Sequence, residues 1–147
     1  GDLEIRPYTD GFGAATTSIG VALMRPRAHG RVFLESADPA APPVIEHHYD
    51  SEAGDVAKLH RGCELVTQLL SSTTELGEPT WSTSQHLCGT APMGTEDDRF
   101  AVTDPRCRVR GIEGLWVIDG SVLARIPGRG PHATIAAVAH RAAEFVN

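Results

Sequence analysis

The chain has 147 residues, 41% apolar and 22% charged, with a formal net charge of −6. That length suits one domain, residues 1–147, burying about 68–70% of its unfolded surface, so no disulfide or metal staple is required. The basic residues are scattered arginines with Lys58 the lone lysine, which argues against nucleic-acid binding, since that needs a clustered positive face.

Residues Gly13 to Met24 are small, β-branched and apolar, and Arg31 to Ser36 form a second such run beyond the turn-like Arg25–Gly30. The pattern predicts a hairpin-like pair of strands. Prolines in Asp38–Pro43 cannot continue a ladder, so an extended connector is expected before a strand over Val44–Tyr49. Asp50 or Ser51 can cap a helix in which Val56, Leu59, Cys63, Val66 and Leu70 share one face. Leu76–Ser84, with Gly77 and Pro79, reads as loop. Leu115–Ile118 reads as a buried strand ending at Asp119-Gly120, and a last helix starts near Pro131 and buries Ile135, Val138, Ala139, Ala142 and Val146. The expected class is α+β, a mixed or antiparallel sheet with packed helices.

Three cysteines, Cys63, Cys88 and Cys107, contain no CxxC pair, which argues against a disulfide framework and favours a reducing compartment; a cytoplasmic location is the expectation. No apolar run approaches the ~18–20 residues of a membrane span, and Gly1–Asp10 lacks a signal-peptide profile.

Three segments carry chemistry: His86-Leu-Cys-Gly-Thr90 with Met93-Gly94, Leu115–Ser121, and Gly128–Thr134. A glycine-rich loop feeding a proline-led helix leaves free amides at a positive dipole end, which suits an anionic ligand group as well as it suits an ordinary capped helix. His132 in that first turn is expected to stay neutral, able to donate one hydrogen bond and accept another. Asp119 reads equally as a turn cap or as a ligand-facing acceptor. His86-x-Cys88 and His47-His48 match no familiar zinc spacing, so no metal is expected. Ser121 lacks the G-x-S-x-G elbow of a hydrolase nucleophile.

Taken in order, His86-x-x-Gly-Thr90, Met93-Gly94, Val102-Thr-Asp-Pro105, Val109-Arg-Gly111, Gly114-Leu115, Val117–Ser121 and Gly130-Pro-His132 resemble the C-terminal signature of the glucose-methanol-choline (GMC) flavin oxidoreductases. Met24–Pro39, with Pro43-Val-Ile45, Tyr49 and the Leu59–Leu70 helix, resembles the family's preceding segment. The resemblance implies an FAD-dependent enzyme oxidising a small-molecule alcohol to a carbonyl by hydride transfer to flavin N5. It implies His86 as the base and His132 as its partner, with reversed or shared roles left open. Asp119 and Gly120 would then lie against the flavin's ribityl and pyrophosphate region, and Pro131, His132, Ala133 and Thr134 against its pyrimidine edge. The final strand and helix would complete an FAD-binding domain.

This chain departs from the family in three places. It has no G-x-G-x-x-G fingerprint, since Gly11-Phe-Gly13 and Gly128-Arg-Gly130 do not fit it, so the N-terminal FAD-binding portion is absent and activity is expected to require it. The stretch Ser71–Gln85 is shorter than the family's, and Gly130 stands where a serine or asparagine is common. The competing expectation is a non-catalytic binding or interaction module that kept the fold without the cofactor half.

Overall fold

In the first of the two units into which the chain gathers, residues 1–82, Leu3–Thr9 (β1) pairs antiparallel with Thr17–Leu23 (β2), from Leu3 opposite Leu23 to Thr9 opposite Thr17. The computed structural model describes residues 2–9, 17–70 and 76–146. Arg31–Phe33 (β3) pairs antiparallel with Val44–Glu46 (β4). The expected pairing of the 13–24 run with the 31–36 run is therefore incorrect: each run takes a different partner, and residues 13–16 lie outside the described residues. The reason lies in Arg25–Gly30, where the amides of Arg27 and Ala28 donate to Asp55 Oδ2 at 2.6 and 2.9 Å instead of closing a hairpin turn. The chain reverses later. There Asp38 accepts the Ala40 amide on its side chain and the Ala41 amide on its carbonyl, so the expected extended connector contains a tight turn. β4 stops before Tyr49 because His48 turns into the left-handed region at φ 50°.

The helix Ala53–Leu70 (α1) begins where the Glu52 carbonyl accepts the amides of Asp55 and Val56, later than a cap at Asp50 or Ser51 would place it. Its predicted apolar face turns inward, with Val66 buried and Val56, Leu59, Cys63 and Leu70 half-buried. Gly62 brings the backbone against the first sheet: an added Cβ would collide with Val21 Cγ1 and sit 3.3 Å from Leu3 Cδ1. Among the described residues of this unit Met24 and Val66 are the buried apolar ones, and the Asp55 side chain is buried as well.

The second unit, residues 83–147, is held by isolated bridges rather than strands: Met93 with Thr103, Thr103 with Val109, and Arg108 with Trp116. Among its described residues Thr103, Cys107, Val122, Pro131 and Ala142 are buried. The expected buried strand over Leu115–Ile118 is not formed; Leu115 is 44% exposed and Trp116–Ile118 are half-buried. Gly111 and Gly114, at φ 76° and 73°, turn the chain so tightly that only Val109 N to Leu115 O and Val117 N to Cys107 O join the two arms. A strand needs a continuous ladder neighbour.

The last helix runs His132–Ala142 (α2) with Pro131 as its N-cap. Ala142 is buried and Ile135, Val138 and Ala139 half-buried, whereas Val146, expected inside, is exposed. A single 3₁₀ turn, Ala143–Phe145, ends the regular structure before Val146. There the Arg106 and Arg141 guanidinium carbons lie 5.4 and 5.2 Å from the Phe145 ring centre. The fold is thus mixed α and β, with two small antiparallel sheets among the described residues. No helix of these residues is long and apolar enough to cross a membrane.

Candidate functional site

The second unit brings the three chemistry-bearing segments together. Asp119 is extended and its carboxylate Oδ1 accepts the Ser121 amide at 2.8 Å and the Ser121 hydroxyl at 2.5 Å, capping the 3₁₀ turn Gly120–Val122. The cap reading of Asp119 is thus met through Oδ1. That turn then grips the His86 segment, because Ser121 O accepts the Ala91 amide at 3.0 Å and Val122 O the Met93 amide at 2.9 Å.

The approach to His86 is sharply bent. Gln85 lies in the left-handed region at φ 59°, with its amide on Thr83 Oγ1 at 3.1 Å. Gly89, at φ 88°, lets the chain pass close to the next segment: an added Cβ would lie 3.4 Å from Leu123 O and 3.5 Å from Ala124 O. The glycine of the His-x-x-Gly-Thr motif thus provides a close approach to protein backbone. Cys88 lies between, its thiol 3.5 Å from the His86 carbonyl. Burial raises the Cys88 thiol pKa, which keeps it a protonated donor.

The half-buried His86 ring lies against Gly130: a Cβ added there would be 3.5 Å from His86 Cε1 and 3.8 Å from Nε2. Two residues on, α2 begins with His132, which is exposed, as is Ala133, while Pro131 is buried and Thr134 half-buried. Pro131 provides no side-chain cap, and the first helical amide to close on the turn is Ile135 N, 2.9 Å from Pro131 O. The amides of His132, Ala133 and Thr134 therefore stand at an uncapped positive helix end. Gly120 is wedged between the other pieces, since an added Cβ would sit 3.2 Å from Ile135 Cδ1 of α2, 3.5 Å from Leu87 O and 3.9 Å from Cys88 Sγ.

Two features escaped the sequence reading. Arg110 donates to the Asp98 carbonyl at 2.9 Å, the Gly94 carbonyl at 3.1 Å and the Thr95 carbonyl, clamping the loop after Met93-Gly94. Three carbonyls converging on one guanidinium have no sequence signature. The Gly130 approach to His86 also went unseen, although the Gly-Arg-Gly run of residues 128–130 marks a place where close passage is possible. The His47-His48 pair lies in the first unit, where His47 stacks on Tyr49 at 4.8 Å and His48 Nε2 is 3.3 Å from Glu46 Oε2. Among the described residues no group of three or more His, Cys, Asp or Glu side chains could hold a metal ion.

A family model described as GMC oxidoreductase matches residues 26–139. The chain belongs to the GMC oxidoreductase family. It corresponds to a C-terminal portion of family members. An uncharacterised GMC-type oxidoreductase of Rhodococcus erythropolis is 40% identical over 166 residues, covering 99% of this chain and 34% of the relative. That alignment is longer than the chain's 147 residues, so the relative carries additional residues inside the matched span. The oxygen-dependent choline dehydrogenase of Brucella ovis is 33% identical over 128 residues, 72% of this chain and 23% of the relative. A fungal aryl-alcohol oxidase of known structure superposes with a TM-score of 0.73 at 27% identity, covering 99% of this chain and 27% of that one. The chain thus spans about a third or less of the length of these GMC relatives.

The cap reading of Asp119 carries its own test. Asp119→Ala is expected to destabilise the second unit by about 1 kcal/mol, whereas Asp119→Ser, which can also cap, retains most of that stability. Urea unfolding of the two variants measures this. Equal losses would show that the carboxylate does something other than cap.

Proposed function

We propose that residues 1–147 are the substrate-side portion of an FAD-dependent oxidoreductase that converts the CH–OH group of a small alcohol to a carbonyl. The observation that carries this is the seating of the His86 ring against Gly130, immediately before the uncapped start of α2 and beside the Asp119-Gly120 turn. Three segments separated in sequence thus meet at one place, which supports the reading.

The fit to a flavin rests on the donor set. The unpartnered amides of His132, Ala133 and Thr134, with the helix dipole behind them, suit the electron-rich pyrimidine edge of a flavin ring. Backbone at Pro131 belongs to the same cradle. The Asp119 carboxylate is engaged by Ser121, so Asp119 and Gly120 would contribute main-chain groups to the ribityl and pyrophosphate side. In this reading the turn and α2 complete an FAD-binding domain whose remainder comes from the N-terminal portion of the complete enzyme. Bound FAD would supply the hydride acceptor.

The chain's own residues then handle the proton. As the carbinol carbon gives up its hydride, the hydroxyl hydrogen passes as a proton to a ring nitrogen of His86, and the C–O bond becomes the carbonyl. General-base help of this kind is worth about 10² to 10⁴ in rate. His132 at the start of α2 donates a hydrogen bond that holds the substrate oxygen in place. Cys88, donating to the His86 carbonyl, and the 3₁₀ turn, gripping Ala91 and Met93, keep the His86 segment fixed.

Anaerobic addition of alcohols to the complete flavoenzyme containing this chain tests the reading. The expected result is bleaching of the oxidised flavin absorbance with one carbonyl formed per flavin. A yellow protein that no primary or secondary alcohol bleaches would favour a binding module instead.

A further inference from the structure

Glycine at position 130 is required neither by the backbone nor by its surroundings. Gly89, Gly111, Gly114 and Gly128 have positive φ, and Gly130 is not among them, so its conformation is open to other residues. Steric necessity is also absent. At Gly94 an added Cβ would come within 2.7 Å of both Ala101 Cβ and Asp98 Oδ2, whereas at Gly130 the nearest atoms are His86 Cε1 at 3.5 Å and Nε2 at 3.8 Å, ordinary contact distances. Within 4 Å that Cβ would meet only the His86 ring.

What the missing side chain does is leave space at one edge of an imidazole. A substrate oxygen must come within about 2.6–3.2 Å of a base nitrogen to pass its proton. With Nε2 taken as that nitrogen, a Cβ at position 130 would lie 3.8 Å from it, and atoms beyond that Cβ would compete for space with the substituents of the carbinol carbon. We propose that Gly130 is a specificity-determining residue: its lack of a side chain admits a substituent on the carbinol carbon, so the site accepts secondary alcohols as well as primary ones. The inference rests on the reading of His86 as the base.

The test uses the complete flavoenzyme with Gly130→Ala and Gly130→Val. Its substrates are benzyl alcohol and 1-phenylethanol, or ethanol and 2-propanol if the aromatic pair is not turned over; the members of each pair differ by one methyl group on the carbinol carbon. The secondary-to-primary ratio of kcat/KM is expected to fall stepwise from glycine to alanine to valine, by about tenfold or more at valine, the discrimination typical of a methyl-sized change in a pocket. Equilibrium binding of the matching tertiary alcohol, 2-phenyl-2-propanol or 2-methyl-2-propanol, which has no carbinol hydrogen to lose, is expected to weaken in the same order. If the valine enzyme fails to retain flavin, the glycine-to-alanine step decides, since a Cβ fits there without collision.

Proportional losses on both alcohols, or a wild-type enzyme confined to primary alcohols, would overturn the proposal. A His86→Ala control separates the two levels. If that variant turns over alcohols almost normally, the base assignment has failed. If it is inactive while the Gly130 series leaves the ratio unmoved, only the specificity inference has failed.

Discussion

Replacing His86 with alanine in the complete flavoenzyme is expected to slow anaerobic flavin reduction by about 100-fold or more, the loss that follows removal of a general base. The loss should fall on the reduction step and leave flavin binding intact, because in this account the contacts assigned to the flavin come from the backbone around Asp119-Gly120 and the amides of His132, Ala133 and Thr134. Geometry supports a specific role for the ring: His86 is half-buried, its segment is tied down by the amides of Ala91 and Met93, and its imidazole edge faces Gly130, immediately before Pro131. Asparagine at His132 should cost less, since an amide still offers a donor at the same helix end. Stopped-flow reduction of the two variants measures the ranking. Reduction of the His86 variant within about threefold of wild type would remove the base from the mechanism.

The second large effect concerns stability rather than chemistry. Asp55 is only 2% exposed and its Oδ2 accepts the amides of Arg27 and Ala28 from a segment 28 and 27 residues earlier. Removing the carboxylate with Asp55→Ala strands two part-buried donors, each costing about 1–3 kcal/mol, so a loss of about 2–6 kcal/mol from the first unit is expected. Asp55→Asn keeps one acceptor oxygen and should lose less. Denaturant unfolding followed by a probe in residues 1–82 provides the measurement, with faster hydrogen exchange at the Arg27 and Ala28 amides as its local signature. An alanine variant within about 0.5 kcal/mol of wild type would mean that these bonds contribute little.

The same carboxylate explains why part of the fold could not be read from sequence. The runs around Val21 and Val32 both look like strands, and adjacency makes them look like partners. Which strand pairs with which depends on where the Arg25–Gly30 segment is held, and that is decided by a side chain on a helix far along the chain. β1 was missed for a related reason: its Leu3, Ile5 and Pro7 alternate with Glu4, Arg6 and Tyr8, a pattern that acquires meaning only once β2 is known to lie beside it.

Helices fared better because their signal is local. The apolar positions of α1 recur with the helical period and turn inward as that period dictates. Pro131 marks the start of α2 through its missing amide hydrogen. Leu115–Ile118 misled because a short apolar run shows buried-strand character only where neighbours supply a ladder, and here tight glycine turns leave it a single bridge. At the site, residue identities were legible while their local contacts were not: only the positions of the Ser121 amide and hydroxyl show that Asp119 caps a turn.

The central claim, that His86 and His132 act on one reacting oxygen, is tested most directly by a double-mutant cycle on the rate of anaerobic flavin reduction, using His86→Ala, His132→Ala and the pair. If both groups serve the same atom, the double variant should be little slower than His86→Ala alone, far short of the product of the two single losses. Losses that multiply in full would show two histidines working independently and would contradict the account.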